Sequence, residues 1–180
     1  LLFMATAPTD SQPTLYFEAE EARLLEATKQ HTLELTVEES GNLNELANLS
    51  AASTAQNTDK PFDIFHLSGH ATIKKGYPYF IVETEAGLSD YATAKDIVEA
   101  LPSSLPHLIF LSGCSTGASG NRQSIPSMAD ALLQQGATAV LAWRDKVEDR
   151  DAIQAAATLY GNLAAGNPVI AALAATYRHL

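Results

Sequence analysis

Two stretches of the chain carry the same punctuation: "FDIFHLSGHAT" (62–72) and "HLIFLSGCSTG" (107–117). Each is a short apolar run, then Ser-Gly, then a side chain capable of chemistry, His70 in the first and Cys114 in the second. A free thiol has a pKa of about 8.5 and is only slightly ionised at neutral pH, so a nucleophilic cysteine needs a base beside it. An imidazole supplies that base and later the acid that protonates a leaving amine. Gly69 and Gly113 would let the backbone turn each side chain outward. The amides of Ala71, Gly113 and Cys114 would then face a developing oxyanion, where one donor contributes about 3 kcal/mol. The competing reading is that a lone cysteine at a strand end is a buried structural residue, since free cysteine is among the most buried types. It is the shared context of His70 and Cys114 that favours chemistry over packing.

The elements that must position this pair follow from hydrophobic periodicity. Short apolar runs alternate with longer helical patterns, which predicts an α/β fold with a mostly parallel central sheet of about six strands. The strand candidates are 1–6, 32–37, 62–68, 79–84, 107–112 and 138–143. The runs at 62–68 and 107–112 are apolar nearly throughout, as central strands buried on both faces should be. Helices are expected over 16–30, over 93–101 with Ala94, Ile97, Val98 and Leu101 on one face, and at roughly 43–50. Another is expected over 127–136, where Ser127 and Asp130 have capping-box spacing, Met128, Leu132 and Leu133 share a face, and Gly136 ends the helix. Near the end, Asn167 reads as an N-cap with Pro168 at the first helical position. In a parallel sheet, chemistry collects at the carboxyl ends of strands near the point where strand order reverses, so His70 and Cys114 would emerge at one edge.

The net charge of -10, from 21 acidic and 11 basic residues, leaves no basic patch to neutralise phosphates, which argues against nucleic acid and anionic membranes as partners. No apolar run approaches the roughly 18 residues needed to span a bilayer, and the opening lacks a signal peptide's basic start, so a cytoplasmic location is expected. The only cysteine offers neither an internal disulfide nor a metal cluster, and no metal or organic cofactor is expected. At 180 residues one domain is expected, and its opening at Leu1 inside a strand pattern reads as a piece of a longer polypeptide.

With "FHLSGHA" (65–71), "IFLSGCSTG" (109–117), "ADALLQQGATAVLAW" (129–143) and "LYGNLAAGNPVIAALAAT" (159–176), the sequence resembles the CHAT domains, caspase-like peptidases related to separase and more distantly to caspases and metacaspases. The resemblance implies a caspase-like three-layer sandwich with helices on both faces of the sheet, a Cys-His dyad and cleavage of a protein substrate. His70 matches the family's catalytic histidine and Cys114 its nucleophile. Relatives that cut after basic residues carry an acidic residue two positions before the cysteine, where this chain has Ser112. The stretch "WRDKVEDRDA" (143–152) is similar to a separase segment whose acidic residues shape an arginine pocket, which would place Asp149, Asp151 and Trp143 with Ser112 at the substrate pocket. The resemblance also implies a regulatory TPR-like or other sensing region or activating partner, and a role in bacterial defence or signalling.

Two other readings compete. "GCSTG" (113–117) fits the nucleophile elbow of an α/β-hydrolase, with Ser115 attacking and Asp145 and His179 completing a triad. From a different class, the same fold could serve as a non-catalytic interaction module. His66 reads as a core or edge histidine, His107 as the start of a strand, and Trp143 as packing. Loops 72–78, 116–126 and 144–150 are expected to border the cleft and to order only with substrate or activator.

Overall fold

Along the chain run β1 (Leu2–Ala5), α1 (Phe17–Thr28), β2 (Thr36–Glu38), α2 (Leu43–Ala55), β3 (Ile64–Ser68), β4 (His70–Lys74), β5 (Tyr77–Glu83), β6 (Ser89–Ala92), α3 (Ala94–Ala100), β7 (Leu108–Ser112), α4 (Met128–Gln134), β8 (Val140–Ala142), α5 (Asp149–Ala164) and α6 (Val169–Tyr177). The computed structural model describes residues 1–11, 15–31, 33–55, 62–113, 127–144 and 147–178. They divide into two bodies, Leu1–Thr14 with Leu35–Lys146, and Leu15–Glu34 with Val147–Leu180.

The first body is built on a parallel sheet in the order β2-β1-β3-β7-β8. The class is α/β, as the alternation of apolar runs predicts. Leu2, Met4, Phe65, Leu67, Ile109 and Leu111 project from one face into a core shared with Leu46 of α2, Ile97 of α3 and Leu132 of α4. The alternate residues Phe3, His66 and Phe110 are equally buried on the other face, with ring centroids 5.1 Å and 4.7 Å apart along the row. Burial on both faces is why β3 and β7 read as nearly continuous apolar runs, His66 apart, rather than as strands with one solvated polar face.

One expected member of this sheet lies elsewhere. The run at 79–84 falls in β5, the middle strand of a separate antiparallel sheet, β4-β5-β6, which leaves five strands in the parallel sheet. The segment 72–78, expected as an open loop bordering a cleft, is instead the end of β4, a two-residue turn and the start of β5. Lys75 and Gly76 both have positive φ, 51° and 86°, the backbone that matches the twist of a tight hairpin. Phe80, Val82 and Ala92 bury one face of this small sheet in the core, so it is held by packing as well as by its ladder.

Local signals set the helix ends. Thr93 and Asp96 form a capping box at α3, and Ser127 and Asp130 form the expected one at α4. Met128 and Leu132 are buried in α4, but Leu133 is 46% exposed, because a step of five residues carries it off their stripe. Helix α2 runs five residues past the expected end, and β2 begins only at Thr36. Replacing Thr93 by alanine removes the hydroxyl that accepts from the Asp96 N–H, leaves the backbone N–H at 93 bonded to the Asp96 carboxylate, and is expected to cost about 1 kcal/mol, read as a lower urea midpoint at unchanged slope.

The second body packs α5 against both α1 and α6. Gly161 lets α1 approach closely, since a Cβ there would lie 3.3 Å from the Ala27 carbonyl. Tyr160 is fully buried, and burial, aided by the negative charge of Glu20, pushes its phenol well above the usual tyrosine range, so it stays protonated. Asn167 does not cap α6: its amide groups bond Asn162 and close α5, and α6 starts at Val169 after Pro168.

Candidate functional site

Sheet order reverses between β1 and β3, since β1 leads to β2 on one side while β3 lies on the other. The carboxyl edge at that point is where an open α/β sheet presents ligand-binding residues. Thr6 follows β1 there, and Gly69 and His70 follow β3. Strands β3 and β7 pair in register, Ser68 opposite Ser112, and the Gly69 N–H donates to the Ser112 carbonyl at 3.2 Å. His70 and Cys114 each lie two residues beyond that aligned pair of serines. Cys114 itself lies outside the described residues, as do Ser115, Asp145 and His179 of the hydrolase reading.

His70 opens β4 and is half-buried. It stands opposite Ile81 of β5, which in turn stands opposite Tyr91 of β6. Opposed residues of an antiparallel ladder share a face, so His70, Ile81 and Tyr91 form one row on the face turned from Phe80 and Val82. Lys74 lies on that same face by alternation, its ammonium 2.9 Å from the centre of the Tyr91 ring.

Gly69 is the joint between the two sheets, and it has no room for a side chain. A Cβ there would collide with the Thr6 hydroxyl oxygen and come within 2.6 Å of the Phe80 ring. The Thr6 N–H donates to the Ser68 carbonyl at 2.9 Å, and its hydroxyl donates to the Ile81 carbonyl at 2.8 Å. One buried threonine thus ties the end of β3 to the middle of β5. Sequence reading missed Thr6, Ile81 and Tyr91. The only local signal was Lys75-Gly76 between two runs with strand character, a weaker hairpin sign than Asn-Gly.

The other site candidates fall on several elements. Ser112 and Gly113 are buried at the end of β7 and just after it, and Ala71 pairs with Phe80 in the small sheet. Trp143 follows β8 and packs near Phe110, with centroids 6.3 Å apart. Its indole Nε1 is buried without a hydrogen-bond partner among the described residues. Asp149 and Asp151 sit in the first turn of α5, where carboxylates complement the helix dipole. Asp151 also lies 3.6 Å from the Arg150 Nε. His66 is a core histidine between Phe3 and Phe110, and His107 precedes β7 on the surface. Of the expected cleft loops, 116–126 lies outside the described residues and 149–150 belongs to α5. Among the described residues no three His, Cys, Asp or Glu side chains could hold a metal ion, and no helix is long and apolar enough to cross a membrane.

No curated protein matches the chain. A family model for the CHAT domain matches residues 2–180, a span that contains both Ser-Gly stretches and every element described above. The chain therefore belongs to the CHAT domain family, with its caspase-like, peptidase-related fold.

Proposed function

We propose that the chain is a cysteine endopeptidase acting through a dyad of His70 and Cys114. The observation that supports this most directly is the β3–β7 register: with Ser68 opposite Ser112, histidine and cysteine follow the same edge of the sheet after equal counts. His70 takes the proton of the thiol, the thiolate attacks the scissile carbonyl, and the backbone amides at Ala71, Gly113 and Cys114 donate to the oxyanion. His70 then returns its proton to the departing amine, leaving a thioester on Cys114. Water, activated by the same imidazole, hydrolyses the thioester and frees the enzyme. The substrate is a protein, and a sensing region or partner outside these residues controls access to the dyad.

The test does not require knowing the substrate. Alkylation of the single thiol is followed against pH in the wild type and in His70→Ala. The wild type should react with an apparent pKa below about 8.5, and the variant should return to the behaviour of an ordinary thiol. Coincident profiles in the two proteins would remove the dyad.

A further inference from the structure

We propose that Thr6 is a positioning residue for His70, fixing the imidazole at the sheet edge through the backbone on either side of it. The proposal rests on the dyad reading above. His70 is the first residue of β4, and β4 belongs to the small sheet rather than to the parallel one. Its orientation at the edge therefore depends on how the small sheet is fixed to the end of β3. Two hydrogen bonds fix the end of β3, and a third carries that joint across to the small sheet. The Thr6 N–H holds the Ser68 carbonyl two residues before His70, and the Gly69 N–H holds Ser112 on the side of β7. The Thr6 hydroxyl reaches across and donates to the carbonyl of Ile81, the residue directly opposite His70. Thr6 is 1% exposed and the ring of Phe80 lies against the same glycine, so the hydroxyl has little freedom to point elsewhere.

A valine at this position keeps the shape and the main-chain bond but removes the donor to Ile81. Ile81, opposite His70, then loses its tie to the joint and the imidazole loses its fixed backbone, while Phe80 in the core and the bonds of Ala7 and Asn42 to Glu83 still hold the rest of β5. Serine keeps the donor and loses only a methyl group. Thr6 touches no reacting atom, so its effect should appear in the proton affinity of the dyad as well as in stability.

Alkylation of the single thiol against pH is measured on the full chain for wild type, Thr6→Val, Thr6→Ser and His70→Ala, with thermal unfolding recorded for each. Thr6→Val is expected to move the apparent thiol pKa toward that of His70→Ala and to slow alkylation at pH 7 by about three- to tenfold. Thr6→Ser should stay within about twofold of wild type at that pH. If His70→Ala shifts the profile while Thr6→Val overlays the wild type, the positioning role is wrong and the dyad stands. Coincident wild-type and His70→Ala profiles overturn the dyad and this role with it. Should Thr6→Val not fold, Thr6→Ser carries the test, because a serine profile that moves with His70→Ala would show that the hydroxyl is not what fixes the histidine.

Discussion

The His70→Ala protein should fold normally and cut its substrate at least about 10³-fold more slowly than wild type, within the range lost when a general acid–base is removed. His70 is half-buried and faces away from Phe80 and Val82, so its truncation leaves the core packing of the small sheet untouched. The unfolding midpoint should move by no more than a degree or two, as for a surface substitution worth under about 0.5 kcal/mol. Loss of turnover with retained stability therefore isolates the chemistry. Cys114→Ala should remove turnover to the same level, and the double variant should be no worse than either single one, because two groups that act as a unit are not additive. New protein N-termini, labelled in extracts treated with activated wild type and with Cys114→Ala, give the cleavage sites. Turnover that survives Cys114→Ala but disappears in Ser115→Ala would instead favour the serine hydrolase reading. Binding of a partner without turnover in any variant would favour the interaction module.

How much of this was legible in sequence depended on how far each signal reached. Strands β3 and β7 could be read because burial on both faces leaves them apolar nearly throughout, with His66 the exception inside β3 and a serine closing each strand. The cap of α4 could be read because Ser127 and Asp130 bond each other within one turn. Leu133 could not, since apolar type alone does not say which side of a stripe a residue falls on, and it emerges exposed. Asn167 misled because the same amide that can cap a following helix can also close a preceding one, and here its partner is Asn162. The small sheet was the larger loss. Its strands are half exposed and its inner residues face a core built by distant elements, so alternation in the sequence was faint. Thr6 was beyond reach altogether, because its hydroxyl is answered by Ile81, which only the folded topology brings near. In the candidate site, the types and spacing of His70 and Cys114 were local information, while the scaffold that orients His70 was not.

That scaffold makes Gly69→Ala a damaging single-methyl change. The added Cβ meets the Thr6 hydroxyl and two carbons of the Phe80 ring, at 2.6 and 3.0 Å, and none of these belongs to a loose surface side chain. Thr6 is 1% exposed and bonded to Ile81, and Phe80 is fully buried in the core. Overpacking of this kind costs about 1–3 kcal/mol, which for a chain of this size lowers the unfolding midpoint by roughly 2–12 °C. The functional loss should exceed the stability loss. Relief of the clash must move β4 from Phe80 or break the Thr6 bond, and either displaces His70; a shift of about 1 Å in a reacting group costs on the order of 10²-fold in rate. Gly136→Ala provides the contrast. That glycine has a φ of +100° with nothing within 4 Å of an added Cβ, so alanine there carries backbone strain alone and sits after α4, outside the attachment of His70. Both variants should unfold more easily than wild type, but only Gly69→Ala should also lose turnover and the thiol pH profile. If the two lose stability alike and both keep the wild-type profile, the joint at Gly69 is merely structural and the orientation of His70 is set elsewhere.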